Sequence, residues 1–248
     1  MSPARAIRAS STIASRRLVA SRSPHLSTPC QLGLQRQLQQ SLSTSLKMQQ
    51  AEQQRQVWAD SPFSLITSTG VKARPEIPQD HYAREFARSM AGIHNVLLRA
   101  LNASYNQCLS VSPGDEARDF FIFNQAFYTM LQSHHDMEEE SLFPAIGKVS
   151  GNPDVMAVNV REHADFEKEL LQFKNYIFET DPKVYDGPQI KSLIDRLGPL
   201  LQKHLHNEIS TLLDLHVVGS AALKGVFSNA ERGTSGGMHD LFKYAAVI

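Results

Sequence analysis

From residue 78 onward the chain alternates long stretches carrying an apolar stripe at helical spacing with short stretches of turn-forming residues. None of the long stretches has the strict two-residue alternation of a half-buried strand. A first helix is expected from His81 to Cys108, with Asp80 as its N-cap and Phe86, Met90, Ile93, Leu97 and Leu101 on one stripe. "SPGDE" closes that segment and opens a second, about 116–141, striped by Phe120, Phe123, Phe127 and Met130. After "PAIGKVSGNPD", a third runs over about 154–179 with Met156, Val160, Phe166, Leu170, Phe173 and Ile177. "TDPKVYDGP" precedes a fourth, about 189–216, with Ile190, Leu193, Leu197, Leu200, Leu201, Leu212 and Leu215. Its stripe stays in phase across Gly198-Pro199, which predicts a kink and no termination.

Four helices of similar length with short connections bury four stripes most simply as an antiparallel up-down-up-down four-helix bundle. The fold class is all-α. The organisation expected is a disordered or targeting segment at 1–50, a polar linker at 51–77, the bundle at 78–216 and a tail at 217–248. That tail, Gly- and Ser-rich around "ERGTSGG", is expected to hold a short helix near "HDLFKYAAV".

Polar residues interrupt the stripes at one level of the bundle. Residues four apart on a helix differ by about 40° in direction and share a face. Extending the second stripe reaches His134 and then Glu138, and extending the fourth reaches His204 and then Glu208. The first stripe meets His94 and the third meets His163. Burying carboxylates and imidazoles without partners costs several kcal/mol. Six of them in one core need something shared that neutralises them, and a metal centre does so. Four imidazoles and two carboxylates suit first-row ions of intermediate softness such as iron or manganese, with zinc a further alternative. The two glutamates can bridge a pair of ions while the histidines cap its ends. His135 and Glu139 lie one residue further round, about 100° off that face, where a helix interface or a supporting role is expected. Glu139 and Glu140 also read as a surface run, while His81, His206, His216 and His239 fall outside the inward stripes.

Charge and composition narrow the rest. The formal net charge is zero, but residues 1–50 hold seven basic residues and no acid, so all 25 acids lie beyond them. A basic, acid-free, Ser-, Ala- and Leu-rich segment has the composition of an organelle-import sequence, which points to the mitochondrial matrix, or to the cytoplasm if translation begins at Met48. The acidic remainder has no basic stripe for nucleic acid. No apolar run reaches the ~18 residues of a membrane span. Cys30 and Cys108 stand apart, which excludes a disulfide scaffold or a cysteine-based zinc site.

At these residues the chain resembles the hemerythrin-like, or HHE cation-binding, family over roughly residues 78–216. The resemblance is carried by "IHNVLLRALN" (His94), "HHDMEEESLFP" (His134, Glu138), "REHADF" (His163) and "KHLHNEISTLLDL" (His204, Glu208). The wording is most similar to fungal members, and the Leu-Phe-Pro spacing selects His134 over His135. The resemblance implies two bridged non-haem iron ions and a small diatomic ligand, oxygen or nitric oxide. The oxygen carriers of the family use a fifth histidine where this chain has Glu167, an extra candidate ligand. That departure brings the site nearer to members similar to iron–sulfur repair and nitric-oxide-handling proteins. No flavin or nicotinamide fingerprint is present, so redox turnover would draw electrons from a partner protein. The competing readings are small-ligand binding, redox catalysis or iron–sulfur repair, and cation handling. A bundle serving only as an interaction module is disfavoured because all six ligand positions are intact.

Overall fold

The computed structural model describes residues 59–233, with side chains through Asn229; the basic segment 1–50 and the helix expected near 239–247 lie outside the described residues. Helix α1 spans Tyr82–Gln107, α2 Asp115–Met137, α3 Phe143–Ser150, α4 Ala157–Glu179, α5 Gly187–Asp214 and α6 Ser220–Gly233. No strand occurs among the described residues, and the fold is an all-α bundle. Of the four long helices, α1 packs on α2 and α5, and α4 packs on the same two, which closes a ring. Short connections make neighbours round that ring antiparallel.

The cap of α1 is His81, not Asp80. His81 Nδ1 accepts from the Ala83 N–H at 3.2 Å, which leaves Nε2 to donate to the Val218 carbonyl at 3.0 Å. One ring thereby ties the start of the bundle to the chain leaving it.

The helix α2 does not stop at Ser141. A π-helical turn, Glu138–Leu142, carries it directly into α3, so much of the expected connector is helical as far as Ser150. Pro144 has no N–H and would crowd the carbonyl four residues back. The wider turn beside it, in which the Phe143 N–H reaches the Glu138 carbonyl, lets the helix continue. Gly151, at φ 70°, then ends α3 in the left-handed conformation.

Most of the expected stripes are buried, but Phe123, Val160 and Leu200 are exposed. On α2 the inward line runs through Phe120, Asn124, Phe127 and Leu131. Asn124 takes a core position because it hydrogen-bonds Ser104 across the interface with α1 and donates to the Phe120 carbonyl at 2.8 Å. A hydrophobic count passes over such a residue and selects Phe123 beside it.

Residues 59–66 are irregular and docked along α1 and α5. The Asn102 side chain accepts from the Phe63 N–H and donates to the Ala59 and Phe63 carbonyls, each at 2.8 Å. Asn95 makes the same kind of two-way pair with Ile66. Phe63 lies over Gly198, where a Cβ would stand 2.1 Å from the ring. Helix α5 runs on through Pro199, and Gly198 serves to admit that ring. Helix α6, beyond the expected end of the bundle, packs on α1, α3 and the π turn, with Phe227 against Phe86 at 4.9 Å between ring centroids.

Candidate metal centre

Each long helix delivers donors to one level of the interior. His94 comes from α1, His134 and His135 from α2, Glu138 from the first position of the π turn, His163 from α4, and His204 and Glu208 from α5. All seven are buried. Their ligand atoms form two four-residue clusters, one of His94, His134, Glu138 and Glu208, the other of His135, Glu138, His163 and His204. Within each cluster the atoms lie within 4.8 Å of one another.

The two carboxylates stand between two pairs of imidazoles. His94 Nε2 and His134 Nε2 are 3.2 Å apart at one end, and His163 Nε2 and His204 Nε2 are 3.0 Å apart at the other. Glu138 reaches both ends, with Oε1 3.1 Å from His134 Nε2 and Oε2 3.6 Å from His163 Nε2. Glu208 Oε2 lies 3.4 Å from His94 Nε2 and 3.8 Å from His204 Nε2. The six positions marked in the sequence therefore converge in space. Glu167 does not join them; it is exposed on α4, on the wall of a neighbouring cavity.

His135 lies at a helix interface, that of α2 with α4, and it also stands among the donors. It is buried, its ring centroid is 4.2 Å from that of His163, and it belongs to the second cluster. Neighbouring residues on a helix point about 100° apart, and α2 has two neighbours in the ring. His134 turns to His94 on α1 and His135 to His163 on α4.

The outer nitrogens are held as well. His94 Nδ1 donates to the Leu205 carbonyl at 2.7 Å, and His163 Nδ1 donates to Glu139 Oε1 at 2.6 Å. Both rings are thereby fixed with Nε2 facing the cluster. Glu162 stands beside His204, its Oε2 3.6 Å from Nδ1, and its Oε1 accepts from Asn207 at 2.7 Å. Glu162 and Asn207 escaped the sequence reading. The only available signal was an acid immediately before His163, and adjacency in sequence does not say which ring it meets.

The donor set fits a metal. Both oxygens of Glu138, both oxygens of Glu208 and His135 Nε2 are buried without a hydrogen-bond partner, and atoms of this kind ordinarily have one. Burial first, then the neighbouring imidazoles, pushes His134, His135 and His204 well below the usual histidine range, into the neutral form a cation requires. Burial, and then the facing Glu208 carboxylate, pushes Glu138 well up. A bound cation would displace that proton, so metal uptake here releases acid.

This architecture is that of a helical-bundle metal protein with a mixed imidazole and carboxylate site. Residues 86–215, more than half of the chain, match the hemerythrin HHE cation-binding domain, and the chain belongs to that family. It is 32% identical over 176 residues to a fungal protein, the "dimeric xanthone biosynthesis cluster protein R11" of Cryptosporiopsis sp. (strain 8999). The match covers 71% of this chain and 66% of the relative, so the chain spans slightly less than two thirds of that protein's length. No solved structure matches it. No described helix is long and apolar enough to cross a membrane.

Proposed function

We propose that the chain is a non-haem di-iron protein that binds or processes a small ligand such as oxygen or nitric oxide. The observation that carries this reading is the placement of Glu138 and Glu208, each within reach of both imidazole pairs. Two carboxylates so placed suit a pair of ions sharing them. His94 and His134 would hold one ion, His135, His163 and His204 the other. Five imidazoles and two carboxylates favour iron over the harder cations, with manganese and zinc as alternatives. Iron held there would supply one-electron redox chemistry and an open position for a diatomic ligand. The protein's own part is to orient the imidazoles through Glu139 and the Leu205 carbonyl, and to exclude water with Phe127, Leu131 and Phe166.

The test is iron content and absorption of the full chain after anaerobic reconstitution with ferrous ion, removal of excess metal and admission of air. About two irons per chain are expected, with new near-ultraviolet absorption after air. Glu138→Gln is expected to lower the content at both positions. A folded wild-type chain with no iron above background overturns the proposal.

A second reading rests on a cavity of about 830 Å³ beside the centre, walled by Phe143, Pro144, Met156 and Val160, with Lys148, Arg161 and Glu139 among its polar residues. Its size suits an organic molecule, and the biosynthesis-cluster relative is in keeping with one. On that reading the centre is a redox enzyme supplied with electrons by a partner. Turnover with an added reductant, absent under simple ligand binding, separates the two.

A further inference from the structure

Between α2 and α4 a cavity of about 350 Å³ lies against one end of the donor cluster. His135 and His163 form its inner wall. Asp136, Glu139 and Glu167 also line it, all three exposed, and no lysine or arginine does. Helical spacing creates this arrangement. His135 and Glu139 are one turn apart, as are His163 and Glu167, so each imidazole shares a helix face with a carboxylate one turn further along.

Three surface acids alone would be a solvated rim. What sets this rim apart is His135, which is 6% exposed and whose Nε2 has no partner. Two of the acids are already engaged, Glu139 accepting from His163 Nδ1 and Asp136 accepting from Gln132 at 2.7 Å. Glu167 makes no hydrogen bond or ion pair among the described residues. The free carboxylate is thus an exposed one, and the unpartnered imidazole nitrogen is a buried one.

We propose that this cavity is the portal through which a divalent cation reaches the centre, with Glu167 the first carboxylate to take it and His135 the first buried donor. The portal rests on the metal-binding reading. A cleft lined by charge of one sign concentrates ions of the other and raises their rate of capture, and dissolved salt weakens that capture. A hydrated cation would exchange water for the Glu167 oxygens at the mouth, then for imidazole nitrogen inside. A portal residue alters the rates of filling and release together and leaves the final occupancy unchanged. A ligand alters the occupancy.

The experiment mixes the metal-free full chain rapidly with cobalt(II), whose visible absorption reports its arrival among imidazoles and carboxylates. Glu167→Gln is expected to slow filling about ten-fold at low ionic strength, to flatten the salt dependence of the rate, and to reach the wild-type cobalt content and spectrum. Glu140→Gln, an exposed acid outside the cavity lining, is expected to fill at the wild-type rate. Filling of Glu167→Gln at the wild-type rate overturns the portal. A lower final content or an altered spectrum makes Glu167 a ligand and overturns it too. A wild-type chain that takes up no cobalt removes the metal reading and the portal with it, so the two failures are told apart.

Discussion

The buried titrating groups of the metal-free chain act on its stability in opposite directions. His134, His135 and His204 are held well below their ordinary 6.5, whereas Glu138 is held well above its ordinary 4.5. As pH falls through 6.5 the unfolded chain protonates these imidazoles and the folded chain does not. The stability they leave intact above pH 6.5 is therefore lost on the acid side, down to their depressed folded values. Glu138 favours the fold most below pH 4.5 and loses that contribution as pH rises toward its raised folded value. Three imidazoles outweigh one carboxyl, and each net proton is worth ~1.4 kcal/mol per pH unit. The melting temperature of the metal-free protein should fall steadily from pH 6.5 to 4.5, and His135→Leu should flatten the slope. A flat profile in the wild type would show that these rings protonate freely within the fold. His135 also marks how far the site could be read from sequence. The inward positions of His94, His134, Glu138, His163, His204 and Glu208 follow from stripe and spacing alone. The placement of His135 depends on which two helices flank α2, and that of Glu162 on which ring it meets. Both are properties of the assembled bundle.

A helix in this bundle is set as much by what lies over it as by its own pattern, and Gly198 is the clearest instance. Alanine in a helix interior is ordinarily favoured over glycine by about 1 kcal/mol. Here the added Cβ would meet the Phe63 ring at 2.1 Å. Phe63 is buried, and its backbone is clamped on both sides by Asn102, so it yields only by pulling residues 59–66 away from α1 and α5. Overpacking of this kind typically costs 1–3 kcal/mol, and the clash should win. Gly198→Ala is expected to destabilise by ~1 kcal/mol in chemical denaturation and to expose the segment at 59–66 to protease. In a Phe63→Ala background the same substitution should turn stabilising. Destabilisation in both backgrounds would place the cause in α5 itself. The sequence pattern showed that the helix does not end at Gly198-Pro199, but it had no means of seeing a ring arriving from 135 residues earlier. The four long helices were legible, since each buries a stripe long enough to outlast an error in phase at Phe123, Val160 or Leu200. The π turn and α6 were not. Pro144 normally ends a helix, which hid the continuation through the first, and Gly219 and Gly225 break the apolar spacing that would have marked the second.

At the scale of the whole molecule, the donor cluster links folding to metal. The metal-free fold leaves the four oxygens of Glu138 and Glu208 buried without hydrogen bonds. Each such group costs about 1–3 kcal/mol, against a native stability of only about 5–15 kcal/mol. A cation that binds the folded chain alone adds ~4 kcal/mol when present at a thousand times its dissociation constant. For a chain of this size that raises the melting temperature by roughly 8–16 °C per site. Filling both clusters should therefore raise it by about 15–30 °C, and a strong chelator should reverse the rise. The two clusters share Glu138, but His94 belongs to only one of them. Glu138→Gln should thus abolish most of the rise, whereas His94→Leu should leave about half of it. Loss of the whole rise in His94→Leu would mean that the clusters fill only together, as one unit spanning all four long helices. A wild-type melting temperature indifferent to iron would take the metal out of the fold's energetics, and the buried carboxylates would then have to be neutral in the working protein.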